Sequence, residues 1–172
     1  MNCTTTCNNC NKCDDKCPYC GYKGKEVKLE TVAELTKNKC VFFENGEKIY
    51  ICTNKKCDLV YFQVGNPKVY LKEEIKVPVW FKEKYKNYIV CYCHNIYLDD
   101  IVKIVKNTNE SNLTKKDILN LLNTNHFEDC KHLNPTGENC DILFKNAIQF
   151  AYNQKEKGEI TMSPEQSKEK QE

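Results

Sequence analysis

The sequence predicts an α+β chain, in which a small metal-stapled unit with a short helix and a β-hairpin precedes a small helical unit built around a second metal centre. Three observations carry this expectation. Thirteen of the 172 residues are cysteine. The β-rich runs lie in the first half, while apolar residues at helical spacing dominate the second. Eight of the cysteines form two groups of four, one in each half. The expected divisions are a Cys-rich polar tail over 1–16, a first metal domain over 17–71, a linker over 72–90, a second metal domain over 91–152 and a disordered tail over 153–172.

Charge narrows the function. Twenty-six basic residues against 24 acidic ones leave +2, and every basic residue is Lys, since the chain has no Arg. Without guanidinium forks or a strong positive balance, a dedicated nucleic-acid binder is not expected. No apolar run approaches the roughly 18 residues that a membrane span needs, so no membrane insertion is expected. The opening MNCTTTCNNCNK has no apolar h-region, so the expected location is cytoplasmic. Disulfides rarely persist in that reducing compartment, and an odd cysteine count does not suit a complete disulfide framework. Thirteen reduced thiols point to metal instead.

In chain order, residues 1–16 are polar and of low complexity, with nothing to build a core. Thr31-Val32-Ala33-Glu34 reads as a capping box opening a helix that runs to about Lys37. Lys48–Ile51 and Leu59–Phe62 read as strands around the turn-like Thr53-Asn54-Lys55-Lys56, and Val69–Leu71 adds a strand after Gly65-Asn66-Pro67. Residues 72–90 mix Lys and Glu with Trp80, Phe81, Tyr85 and Tyr88, and Pro78 breaks any helix there. A lysine–aromatic mix can bind single-stranded nucleic acid, but rings covering a joint between two small domains is the better reading. Ile101, Val102, Ile104 and Val105 mark one helix. Thr114-Lys115-Lys116-Asp117 caps a second with Ile118, Leu119, Leu121 and Leu122. A third begins near Cys140 and carries Ile142, Leu143, Ala147, Ile148 and Ala151. After Tyr152 the chain is charged and polar.

Cys17-Pro18-Tyr19-Cys20-Gly21 places two thiolates on one tight turn, and the glycine supplies the positive φ such a turn needs. Cys52 and Cys57, with a strand on either side, offer a second pair. Together they make an all-thiolate tetrahedron suited to structural Zn²⁺, which would replace the core this small unit lacks. Iron in a rubredoxin-like site is an alternative. A competing parse takes Cys7, Cys10, Cys13 and Cys17-Pro18 as a [4Fe–4S] run, and it ranks lower because no second such run exists and Cys17 would lose its pairing with Cys20.

Cys91-Tyr92-Cys93, then Cys130 and Cys140 around KHLNPTGEN, form the second group. Four thiolates satisfy the two irons of a [2Fe–2S] cluster, with backbone N–H groups in the loops and at a helix start available to its sulfurs. A second zinc site is the alternative. Asn134-Pro135-Thr136-Gly137 reads as a turn.

These motifs carry a resemblance. The C-x-C pair, the two helices and the late cysteine pair with NPxG are similar to the bacterioferritin-associated-ferredoxin-like [2Fe–2S] domain. CPYCG…VKLETV…YICTNKKCDLVYF resembles the zinc-binding domain found with it. The tandem, over about residues 17–152, resembles the N-terminal region of CopZ-type copper chaperones. The resemblance implies zinc on Cys17, Cys20, Cys52 and Cys57, and a [2Fe–2S] cluster on Cys91, Cys93, Cys130 and Cys140. The nine residues between Cys130 and Cys140 follow the CopZ-like form, and Tyr97 stands where the family often has a capping Thr. The copper domain with M-x-C-x-x-C is not among these residues.

Cys3, Cys7, Cys10 and Cys13 lie outside the resemblance, and a thiol-rich tail suits Cu⁺ as well as it suits no ligand at all. Cys40, beside Val41-Phe42-Phe43, reads as a buried apolar thiol. His94 and His132 neighbour the cluster cysteines and read as tuning or surface residues, and His126 shows no partner. No hydrolase or transferase pattern stands out, so an enzyme is not expected. The expected function is a one-electron carrier linked to copper handling, with a redox or copper-handling protein as partner. The alternative is a non-catalytic zinc/iron–sulfur interaction module or redox sensor.

Overall fold

The computed structural model describes residues 15–38, 43–44, 46–85, 88–124 and 127–157. The tail cysteines Cys3, Cys7, Cys10 and Cys13, together with Cys40, His126 and residues 158–172, lie outside the described residues.

The first half is a four-stranded antiparallel sheet in the order β1-β2-β3-β4, formed by β1 (Gly24–Val27), β2 (Ile49–Cys52), β3 (Leu59–Gln63) and β4 (Val69–Leu71). Helix α1 (Leu29–Leu35) connects β1 to β2. Side chains alternate across a strand, so β2 divides its residues between two clusters. Ile49 and Ile51 pack with Val27, Val32 and Leu35, whereas Tyr50 and Cys52 pack with Cys17, Cys57, Leu59 and Phe62. A register shift between Leu59 and Tyr61 interrupts the alternation in β3. Val60 and Tyr61 therefore both join the α1 cluster, while Leu59 and Phe62 stay with the thiols. Gly24 lies close against the β2 and β3 side chains, where a β-carbon would come 2.7 Å from Phe62 and 2.8 Å from Tyr50.

α1 differs from the sequence expectation. It starts at Leu29, two residues before the supposed cap, and the residue ahead of it, Lys28, makes no side-chain capping bond. The apolar stripe Leu29, Val32 and Leu35 fixes the helix from its first residue. Thr31 is thus inside the helix, fully buried, and its hydroxyl donates to the Lys131 carbonyl at 2.7 Å.

Residues 72–90 are not a bare spacer. They form two 3₁₀ turns, Lys72–Glu74 and Trp80–Lys82, and bury Ile75, Val79 and Lys82. Phe81 packs on the sheet's α1 cluster, while Trp80, Tyr85 and Tyr88 pack on the core of the second half. Trp80 meets Phe81 edge-on at 5.0 Å between ring centroids and Tyr88 at 5.6 Å.

The second half opens with the hairpin β5 (Ile89–Cys91) and β6 (Ile96–Tyr97). Four helices follow: α2 (Leu98–Asn107), α3 (Lys115–Leu121), α4 (Cys130–Leu133) and α5 (Asp141–Lys157). Ile101, Val102 and Val105 of α2 pack against Leu143, Phe144, Ala147, Ile148 and Ala151 of α5. α3 has the expected cap, in which the Thr114 hydroxyl accepts from the Asp117 N–H at 3.3 Å and the Thr114 N–H donates to the Asp117 carboxylate at 2.8 Å. α5 continues past Tyr152 to Lys157, so residues 153–157 are helical and not part of a tail. Its end is held by Lys155 Nζ, which donates to the Val105 carbonyl at 3.0 Å and also to that of Thr108.

Candidate metal centres

The first centre is assembled by a knuckle and a hairpin. The Cys17 carbonyl accepts from the Gly21 N–H at 2.8 Å, and the Cys17 N–H donates to the Tyr22 carbonyl at 2.7 Å. Gly21 has φ +71°, as the tight turn requires. Cys52 ends β2, and Cys57 closes the following turn, where its N–H donates to the Asn54 carbonyl at 3.2 Å. The four Sγ atoms lie within 4.8 Å of one another. Cys17 and Cys57 are 4.0 Å apart and Cys20 and Cys52 3.6 Å. A tetrahedron with Zn–S bonds near 2.3 Å has edges of about 3.8 Å, so the donor set fits one zinc ion. Cys17, Cys52 and Cys57 are buried and Cys20 is half-buried.

The thiols differ in readiness. Burial opposes ionisation of Cys20, but hydrogen bonds from the Tyr22 backbone, the Asn54 side chain and the adjacent thiols outweigh it and bring the group down to about 7. Burial pushes Cys52 and Cys57 up. Lys82, contributed by the second 3₁₀ turn, donates from Nζ to the Asn54 carbonyl at 2.6 Å and to the Cys57 carbonyl at 3.0 Å. Burial pushes its pKa down.

The second group has a different shape. Cys91 ends β5, Cys93 lies in the hairpin turn before the left-handed Asn95, Cys130 opens α4, and Cys140 immediately precedes α5. The contacts form a chain: Cys91 to Cys140 at 3.8 Å, Cys140 to Cys130 at 4.0 Å and Cys130 to Cys93 at 3.7 Å. Among the described residues, the first group alone holds three or more metal-ligating atoms all within 4.8 Å of one another. Hydrogen bonding with Cys140 brings Cys91 down to about 5, aided by His94, and Cys130 down to about 6. The same bonds push Cys140 up, and burial raises Cys93 to about 12. His94 Nδ1 lies 3.3 Å from Cys91 Sγ, and the Asp129 N–H donates to Cys93 Sγ at 3.2 Å. His132 pairs with Asp129 at 2.6 Å and not with a thiol.

Residues of the first half reach into the loop between Cys130 and Cys140. The buried Tyr61 hydroxyl donates to the Pro135 carbonyl at 2.8 Å, and Thr31 donates to Lys131 as described. Glu30 pairs with Lys131 at 2.7 Å, and Lys25 with Glu138. The loop is a turn, with the Gly137 N–H donating to the Asn134 carbonyl at 2.7 Å and Gly137 at φ +68°. Tyr92, between Cys91 and Cys93, donates its hydroxyl to the Pro78 carbonyl at 2.8 Å and accepts from the Trp80 N–H at 3.0 Å. None of Thr31, Tyr61, Lys82 and Tyr92 stands out in the sequence as part of a centre. Thr31 reads there only as a helix cap, Tyr61 as a strand residue and Lys82 as one lysine of a charged run, while Tyr92 is marked by the C-x-C cysteines that flank it.

Comparison with known proteins agrees with the first centre. A family model described as a zinc binding domain, of the CopZ type, matches residues 14–76. No curated protein matches the chain. The fold is similar to the X-ray structure of the Archaeoglobus fulgidus CopZ N-terminal domain, with a TM-score of 0.58 and 24% identity over 76% of this chain and 95% of that one. No helix among the described residues is long and apolar enough to cross a membrane. The chain thus combines a mixed α/β fold like that of the CopZ N-terminal domain with a zinc-binding-domain match and a four-cysteine group able to hold a metal ion.

Proposed function

We propose that the protein is a two-centre metal carrier of electrons, with structural Zn²⁺ on Cys17, Cys20, Cys52 and Cys57 and a [2Fe–2S] cluster on Cys91, Cys93, Cys130 and Cys140. The observation that carries this reading is the contrast between the two thiol groups. The first is one compact tetrahedron, with no open position for catalysis. The second contains two close pairs, Cys91 with Cys140 and Cys93 with Cys130, drawn out along a chain. Two pairs suit two metal ions better than one. The cluster, when bound, supplies one-electron transfer.

The chain's own residues supply the rest. The Asp129 N–H on Cys93 and the His94 ring beside Cys91 place hydrogen-bonding groups on ligand sulfurs, which favours the reduced state. Tyr61 and Thr31 hold the loop that spaces Cys130 from Cys140. The link to copper rests on the sequence resemblance to CopZ-type chaperones: a cluster held by Cys91, Cys93, Cys130 and Cys140 would supply the single electron that separates Cu(II) from the Cu(I) that thiolates retain. The partner on this reading is a redox or copper-handling protein.

The test is anaerobic expression, with iron, sulfide, zinc and copper measured on the sample that gives the visible and EPR spectra. The expected result is about two irons and two sulfides with one zinc per chain, EPR-silent as isolated and rhombic after dithionite. Zinc without iron, sulfide or colour would overturn the electron-transfer role and leave a zinc-stapled interaction module.

A further inference from the structure

We propose that Lys82 is a built-in counter-ion of the four-cysteine centre, a positioning residue that compensates its negative charge and locks the turn presenting Cys57. The proposal rests on metal being held at Cys17, Cys20, Cys52 and Cys57. Lys82 is 8% exposed, which is rare for a lysine and costly unless the charge is answered. Among the described residues, no carboxylate lies within 4.0 Å of its Nζ. Its partners are the Asn54 and Cys57 carbonyls, both in the turn from Cys52 to Cys57. The face of Phe81 lies 5.6 Å from Nζ and adds a weaker attraction.

A metal-loaded centre would supply negative charge on the other side of that turn. The Asn54 and Cys57 carbonyls hold the ammonium against the turn that presents Cys57 to that centre. A divalent ion among four thiolates leaves two negative charges on the centre, and a buried ammonium beside it removes one of them. Lys82 comes from the segment between the two halves, so that segment contributes a charge to the centre as well as a connection. Its two hydrogen bonds also fix the carbonyls that orient the turn, much as outer partners orient ligands in other metal sites.

The test uses Co²⁺ as the probe on the full-length chain, followed by its thiolate charge-transfer and d–d absorption. Lys82→Met keeps the length and removes the charge, whereas Lys82→Arg keeps the charge and disturbs the packing. Circular dichroism confirms that both variants fold. The expected result is a tenfold or greater loss of Co²⁺ affinity in Lys82→Met, with Lys82→Arg holding nearer to wild type. Affinity within twofold of wild type in Lys82→Met, or an equal loss in both variants, refutes the counter-ion role while leaving the metal site intact. Wild-type protein that shows no tetrathiolate Co²⁺ spectrum refutes the metal site as well, so the two failures are distinguishable.

Discussion

Gly137→Ala tests the packing of α1 against the loop between Cys130 and Cys140. Gly137 adopts φ +68°, and a β-carbon there would lie 2.9 Å from Thr31 Oγ1 and 3.7 Å from the Lys131 carbonyl. Two costs follow. An alanine held in the left-handed region loses about 1 kcal/mol. The contact with Thr31 is shorter than carbon–oxygen van der Waals distance, so that side chain must turn away from Lys131. It then loses a hydrogen bond and leaves a fully buried hydroxyl unpaired, for about 2 kcal/mol more. The expected destabilisation is therefore about 3 kcal/mol. Gly65→Ala is the control, because Gly65 has φ +80° with nothing within 4 Å of the added carbon, so only the backbone term of about 1 kcal/mol applies. The assay is denaturant unfolding of metal-loaded, reduced protein, followed by Trp80 fluorescence. Adding Thr31→Ala to Gly137→Ala makes room for the methyl, and the pair should cost less than the sum of the singles. Equal costs for Gly137→Ala and Gly65→Ala would show that α1 does not press on this loop.

Cys93→Ser should abolish iron and sulfide but leave about one zinc per chain, because the two centres share no ligand; loss of zinc as well, by metal analysis of the same sample, counts against two separate sites. Tyr61→Phe should destabilise the fold by about 1–2 kcal/mol in the same unfolding assay, because the Pro135 carbonyl loses its donor in a buried place. The Thr114 cap holds the Asp117 carboxyl below its usual range, chiefly through the Thr114 hydroxyl. A lowered folded pKa gives stability that is present above the unfolded value and is lost as pH falls through the folded one. The unfolding difference between wild type and Asp117→Asn should therefore shrink on acidification below about pH 4, and a difference that grows there would contradict the cap.

Local signals were legible where one short stretch of sequence decides the outcome. The β2–β3 hairpin follows from alternating β-branched and aromatic residues around a turn of Asn and Lys. The α3 cap follows from a hydroxyl and a carboxylate three residues apart. The same signature misleads at Thr31, because a local rule cannot see the Lys131 carbonyl one hundred residues away. α4, only four residues long, has no room for a periodic signal. Both cysteine groups were visible as pairs with suggestive spacing. The shape each adopts depends on how strands and loops converge, so the compact set and the extended chain could not be told apart from spacing. Lys82 was invisible for a simpler reason: it is one of several lysines in a Lys–Glu–aromatic run, and only burial distinguishes it.

The contacts between the halves bear on why the two centres share one chain. The loop from Cys130 to Cys140 has little apolar surface of its own, since of its inner residues only Asn134 and Pro135 are buried. A small helical unit cannot hold such a loop by core packing alone. The sheet supplies what is missing: Tyr61 and Thr31 bond its carbonyls, and Glu30 and Lys25 pair with Lys131 and Glu138. In the other direction, Tyr92 sits between Cys91 and Cys93 and fixes Pro78 and Trp80, the segment that delivers Lys82 to the first group. The first half thus orders the loop between Cys130 and Cys140, and Tyr92 of the second half orders the segment that carries Lys82 to the turn between Cys52 and Cys57. A metal ion held by Cys17, Cys20, Cys52 and Cys57 would therefore also steady the spacing of Cys130 and Cys140.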